Sequence, residues 1–174
     1  ERWSPVQSHF FNFLGPAGFG YSPELSSYLE ENTFDLLHLH ALWMYTSIAG
    51  RNWSKATSRP YLVTPNGMLD PWAMKHARTK KMLAWHCYEH ATLNQAACLQ
   101  ANTIKEALDI QSLGLTNPIC VIPNGVTIPT RPTLSRIINE RRTFLFLGRK
   151  HQKKGLRELI AGYALCRSRN RQTD

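Results

Sequence analysis

The sequence predicts an α/β fold in which parallel sheets are flanked by helices, and three observations point there. Short apolar runs of strand length alternate with longer stretches of helical spacing. Helix-start signals sit where the strand-like runs end: Ser22-Pro23-Glu24, Asp70-Pro71 and Thr103-Ile-Lys-Glu106. Turn signals close the strands, with Pro-Asn-Gly occurring at 65–67 and again at 123–125.

Taken in order, residues 1–21 are irregular and rich in Gly, Pro and aromatics. A helix follows from Ser22 to about Glu31, then a buried strand over Phe34–His40 (FDLLHLH) and a helix over Leu42–Ala56. Tyr61–Thr64 is a second strand. Asp70-Pro71 opens another helix, whose apolar positions continue through Met82, Leu83, Ala91 and Leu93. Thr103 to Glu106 forms a capping box for a helix over 104–113, with Gly114 as its stop. Ile119–Ile122 is the third buried strand. Residues 126–140 carry prolines and no period, and read as a linker. Thr143–Leu147 (TFLFL) is a further strand, and Leu156, Leu159, Ile160, Tyr163 and Ala164 recur at helical spacing.

Composition limits the function classes. The chain has 174 residues, is 43% hydrophobic and 19% charged, and contains 5 Trp, 6 Tyr and 7 Phe, which excludes a disordered chain. No apolar run is long enough to span a bilayer, and the first twenty residues do not read as a signal peptide. Cys87, Cys98, Cys120 and Cys166 form no C-x-x-C pair, so they read as reduced, mostly buried thiols of a cytoplasmic protein.

The net charge is +9, and it is unevenly spread. Residues 141–174 hold ten Lys and Arg against Glu158 and Asp174, so +8 of the +9 lies in this last segment. Such a field attracts phosphate, on a nucleotide, a nucleic acid or an anionic membrane. A solvated basic tail is the alternative. The loop Gly148-Arg-Lys-His-Gln-Lys-Lys-Gly155 joins the last strand to the last helix. A helix start offers free N–H groups, the glycines permit close approach, and Arg149 and Lys154 can pair with phosphate oxygens. The spacing is neither a P-loop nor G-x-G-x-x-G.

Strand-G-R-x4-K-G-helix, preceded by V-I-P-N-G-V, resembles the second-domain entry of family 4 glycosyltransferases of GT-B fold. F-D-L-L-H-L-H-A-L-W, P-Y-L-V-T-P-N-G-M-L-D-P-W-A-M and E-A-L-D-I-Q-S-L-G resemble earlier segments of that family in the same order, from about residue 34 to 165. The resemblance implies parts of two Rossmann-like parallel-sheet domains joined by a linker. Residues 1–125 would be the C-terminal portion of the N-terminal acceptor domain, 126–140 the linker, and 141–174 the start of the nucleotide-sugar-binding domain. It implies transfer, with retention, from a nucleotide-sugar donor to a glycan or lipid-linked acceptor. Arg149 and Lys154 would hold the donor diphosphate in the catalytic role, with Gly148 and Gly155 beside them. His40, Asn66 and Gly67 would face donor or substrate from the first domain. No metal and no cofactor are expected, because side-chain cations serve the leaving phosphate in such enzymes. A cytoplasmic location, peripheral at the inner membrane, goes with an anionic membrane surface as partner. No nucleic acid is expected.

Two positions depart from the family. Asn66 and Gln100 stand where relatives often carry His, and an amide cannot take up a proton. Glu106 matches a recurrent family position, but the capping box already accounts for it. The family's first strand and its glycine-bearing loop would precede residue 1, and its E-x7-E segment would follow residue 174. The chain therefore reads as a central slice with open sheet edges and exposed apolar faces, inactive alone. A non-catalytic phosphate- or nucleotide-binding remnant is the nearest alternative, and nucleic-acid binding through the basic C-terminal region is a second. His86-Cys-Tyr-Glu-His90 also matches the zinc motif H-x-x-E-H, and His38 with His40 could make a metal pair on one strand.

Overall fold

A computed structural model describes residues 6–128 and 144–170. They fall into two compact units, one ending at Thr127 and the other beginning at Ile128.

The first unit is built on four parallel strands in the order β1-β2-β3-β4. They are β1 Leu37–His40, β2 Tyr61–Thr64, β3 Cys98–Ala101 and β4 Ile119–Val121. Leu39 lies opposite Val63, Val63 opposite Leu99, and Leu99 opposite Ile119, so one row of apolar residues crosses the whole sheet. Strand side chains alternate between faces. The opposite face therefore carries His38, His40, Leu62, Cys98, Gln100 and Cys120.

Helices cover the leucine face. The first, α1 Pro23–Glu31, is capped by the Ser22 hydroxyl, which accepts the Leu25 N–H at 3.3 Å. Its Leu29 meets Ala49 and Trp53 of α2 Tyr45–Thr57. Gly50 of α2 lies so close to β1 that an added Cβ would stand 2.7 Å from the Leu39 side chain. The main core gathers Tyr61, Val63, Leu93, Leu99, Ala101 and Ile110, with Leu39 and Ile119 against it. Ile110 belongs to α6 Ile104–Gln111, which ends at Gly114 with φ +76. The parallel sheet flanked by helices is thus as expected; on its opposite face His38 and His40 are exposed and Leu62, Cys98, Gln100 and Cys120 partly buried.

The segment after β2 departs most from the sequence pattern. One helix was expected from Asp70 onward. Instead α3 Pro71–Lys75 stops, Ala77 takes a left-handed conformation at φ 53, and α4 Arg78–Ala84 begins anew. A π-helical turn over Trp85–Glu89 then leads into α5 His90–Gln95. No Gly or Pro marks either irregularity, which is why spacing alone did not show them.

Other expectations also change. The strand expected over Phe34–His40 is confined to its last four residues, and the helix expected from Leu42 begins at Tyr45. Ile119–Val121 is the fourth strand rather than the third, since Cys98–Ala101 precedes it, and it is only half-buried. That strand, Cys-Leu-Gln-Ala, has no β-branched residue, and two residues separate it from α5. The thiols are free, but Cys87 and Cys166 are exposed and Cys98 and Cys120 only partly covered, so they are not mostly buried.

In the second unit a short 3₁₀ turn, Gln152–Lys154, precedes α7 Leu156–Asn170. Phe144–Leu147 is not a strand, and among the described residues of this unit no neighbouring strand exists to receive its backbone hydrogen bonds. Thr143 and most of the expected linker 126–140 lie outside the described residues.

Candidate functional site

All four strands of the first unit run the same way, so their carboxyl ends and the loops that follow share one rim. Open parallel sheets bind ligands at that rim. His40 ends β1 directly beside Thr64, which ends β2. The His38 and His40 rings lie 4.2 Å apart on the opposite face of the sheet, and His38 Nε2 is 2.6 Å from the Thr64 hydroxyl. Partial burial, with the neighbouring His40 charge, lowers the His38 pKa.

The loop after β1 is held in an unusual shape. Ala41 and Trp43 adopt φ of 71 and 70, a region costly for residues with a Cβ. Surrounding contacts fix it. Ala41 N–H donates to the Thr64 carbonyl at 3.0 Å, and Trp43 N–H donates to a Glu89 carboxylate oxygen at 2.7 Å. The Ser47 hydroxyl donates to the same carboxylate at 2.9 Å. Glu89 is fully buried. Burial pushes its carboxyl above the ordinary range, while the bonds from Trp43 and Ser47 and the charge of Arg51 pull it back.

Glu89 is therefore a fixed acceptor beneath the loop, presented by the π turn. The zinc reading of His86, Glu89 and His90 fails on this geometry, since the glutamate that would serve as base faces the Trp43 backbone. Nearby, the Tyr61 hydroxyl donates to the Thr92 carbonyl at 2.5 Å, and burial carries its pKa up to about 12. Lys81 donates to the Ala73 carbonyl and places its ammonium 5.7 Å from the centre of the Trp43 ring, which ties the α3–α4 segment to the same loop.

A second carboxylate joins the next two loops. Thr103 caps α6 by accepting the Glu106 N–H at 3.1 Å, as the capping box predicts. Glu106 does not complete the box by bonding the Thr103 N–H. Its oxygens accept from Asn102 N–H at 2.8 Å and from Gly67 N–H at 2.6 Å. Asn66 and Gly67 both have positive φ, 54 and 73, so the turn after β2 depends on residues that tolerate that region. The Asn66 side chain accepts from Asn102 Nδ2 at 3.2 Å and donates to the Thr64 carbonyl at 3.3 Å. Gln100 donates to the Ile122 carbonyl at 3.2 Å on the face that carries His38 and His40.

The structure thus brings His40, Asn66 and Gly67 to neighbouring strand ends. Gly148, Arg149, Lys154 and Gly155 belong to the second unit. There Arg149 and Lys154 are exposed. Gly155 has φ +66 and its carbonyl accepts the Leu159 N–H at 2.9 Å, so it forms the entry to α7. An open hollow of about 660 Å³ in this loop is lined by Lys150, His151, Gln152, Leu156, Arg157 and Glu158. Arg149 and Lys154 are not among its walls. Among the described residues no cluster of three His, Cys, Asp or Glu side chains could hold a metal.

Sequence reasoning missed Trp43, Lys81 and the bridging role of Glu89. Their signal would have been a buried acid in a helix with no basic residue at i±4, which spacing alone cannot assign to a partner.

Neither a curated protein nor a solved structure matches the chain. The glycosyl transferase 4-like domain matches residues 2–125, the span that contains the whole four-stranded sheet. With its parallel sheet, as in a Rossmann-like GT-B domain, the chain belongs to the family 4 glycosyltransferases.

Proposed function

We propose that this chain is part of a retaining glycosyltransferase that moves a sugar from a nucleotide-sugar donor to a polysaccharide or lipid-linked acceptor. The observation that carries the reading is the family match over residues 2–125. Residues 1–125 then serve as the acceptor-side domain, 126–140 as linker, and 141–174 as the opening of the donor-binding domain.

The chemistry asks for positive charge where the leaving group develops negative charge. Breaking the bond between sugar and diphosphate places that charge on phosphate oxygens, and fixed cations lower the barrier. Arg149, before the 3₁₀ turn, and Lys154, its last residue, supply them. Gly155 admits the left-handed turn that starts α7, whose first N–H groups add a positive dipole end. His40 and Asn66 contribute hydrogen-bonding groups at the sheet rim. Gly67 acts through the turn it permits, since its N–H is already bound to Glu106. The side-chain cations stand in for a metal, so a chelator leaves turnover unchanged. The protein works at the cytoplasmic side of the inner membrane, and no nucleic acid takes part.

Isothermal calorimetry with nucleoside diphosphates, and turnover of the complete enzyme over a donor panel, test the assignment. Arg149→Ala and Lys154→Ala should each weaken diphosphate binding and lower turnover by roughly 10²–10³-fold. Wild-type behaviour in both variants would place the phosphate site elsewhere.

A further inference from the structure

Two of the four thiols are neighbours. Cys98 opens β3, and Cys120 is the middle residue of β4, 22 positions later. Gln100 lies opposite Cys120 in the register, so Cys98 stands diagonally from Cys120 on the same face of the sheet. Their sulfurs approach to 3.7 Å. Both also lie near one backbone oxygen, the Leu99 carbonyl, at 3.6 Å from the Cys98 sulfur and 3.8 Å from that of Cys120. Cys87 in the π turn and Cys166 on α7 are exposed and belong to other elements.

Packing alone does not account for this placement. A cysteine that serves as a small apolar side chain belongs in the interior. Cys98 and Cys120 are only partly covered, whereas Leu99, on the other face, is fully buried. A thiol is a weak donor and a weak acceptor, so these contacts do little to hold the two side chains together. The pairing of the strands sets the separation.

That separation selects the chemistry. A disulfide needs its sulfurs about 2.05 Å apart, so a direct bond would have to draw them together by about 1.6 Å across diagonal positions of two paired strands. An ion bonded to each sulfur at about 2.3 Å spans the existing 3.7 Å at an angle of about 107°, close to tetrahedral, with no movement of either strand. Thiolate ligands select soft and borderline cations, zinc among them. We infer that Cys98 and Cys120 chelate a thiophilic divalent cation of the zinc class, which bridges β3 and β4. Each thiol gives up its proton as its sulfur bonds the cation, so one divalent ion is exchanged for two protons and no electron moves. Among the described residues no third His, Cys, Asp or Glu joins the pair, so water fills the remaining positions and the site is open and exchangeable. The bridge fastens β4 to β3. Neither ligand belongs to the strand-end cluster of His40, Asn66 and Gly67 or to the basic loop before α7, and the site requires neither a donor nor transfer chemistry.

Titration of the reduced 174-residue chain with Cd2+, followed by thiolate-to-metal charge-transfer absorption in the ultraviolet, tests the site. One Cd2+ per chain is expected at micromolar concentration, and Zn2+ should compete for it. Cys98→Ser and Cys120→Ser should each weaken Cd2+ binding by roughly 100-fold or more, since each leaves a single thiolate. Cys87→Ser/Cys166→Ser, His38→Gln and His86→Gln remove no ligand and should each change it by less than about threefold. Far-ultraviolet circular dichroism verifies that each variant is folded.

In the unaltered chain, Zn2+ should slow the alkylation of Cys98 and Cys120 by iodoacetamide but not that of Cys87 and Cys166, as read by peptide mass spectrometry. This readout does not depend on any variant folding. Absence of the charge-transfer band, a band that survives both Cys98→Ser and Cys120→Ser, or equal protection of all four thiols would each overturn the inference. A Cys98–Cys120 disulfide formed on mild peroxide treatment, without Cd2+ binding by the reduced chain, would make the pair a redox couple and overturn it as well. Diphosphate binding measured on Cys98→Ser and Cys120→Ser should be unchanged, which separates a failure here from a failure of the donor-site reading.

Discussion

The two units place apolar residues in opposite circumstances. In the first, Leu39, Val63, Leu99 and Ile119 line up across four strands, with Val63 and Leu99 buried and Leu39 and Ile119 packed against the core. In the second, α7 carries Leu159, Ile160 and Tyr163 at 43–60% exposure, although their spacing is that of a core-facing stripe. Phe144 does reach the Tyr163 ring, at 5.2 Å between centroids, but that is one contact rather than a layer. Helical periodicity specifies which residues want cover. Whether they receive it depends on a partner surface, and only the first unit's sheet supplies one among the described residues.

Substitutions can break this contrast. Leu99→Ala, at the centre of the sheet, should cost about 2–5 kcal/mol, whereas Ile160→Ala on α7 should stay within about 0.5 kcal/mol. Urea unfolding of both variants measures the gap, and similar losses would mean that α7 has a core of its own. Glu106→Ala should cost about 1–3 kcal/mol by stranding the N–H groups of Gly67 and Asn102. Glu106→Gln should recover only part of this in the same assay, since an amide has one accepting oxygen.

The smallest effect concerns pH. Glu89 holds its proton more tightly when folded than its ordinary value of 4.5. Its contribution is therefore complete below that value and is lost as pH rises through the elevated folded pKa. The stability of wild type relative to Glu89→Gln should fall as pH rises above 4.5 and through the elevated folded pKa. A difference independent of pH would show that the two donors at the carboxylate and the Arg51 charge offset its burial.

Much of the fold could be read from the chain, because the informative residues act locally. Ser22, Asp70 and Thr103 cap the helices they were expected to cap, since a side chain needs only its own next three residues to do so. Tyr61–Thr64 is a strand of the expected length, bounded by Pro60 and Pro65. What escaped was decided at long range. Glu106 looked complete as a capping residue, yet one of its oxygens reaches Gly67, 39 positions away. Glu89 looked like part of a metal motif and instead supports a loop 46 positions earlier. The strand Cys98–Ala101 is recognisable by its neighbours in the sheet more than by its composition. Phe144–Leu147 is the converse case, a strand-like composition without strand neighbours.

The π turn at Trp85–Glu89 bears on how this segment tolerates change in length. A π turn accommodates one more residue than the α-helix around it. Deleting any residue from Trp85 to Tyr88 would let the backbone return to ordinary α geometry, and the helix itself would be better bonded. Everything on one side of the deletion would then be rotated by about 100° relative to the other. Either Trp85 would leave the core, or Glu89 would swing away from Trp43 and Ser47 and release the loop after the first strand. At this point the molecule favours an imperfect helix because a regular one would put the buried Glu89 support for that loop on the wrong side.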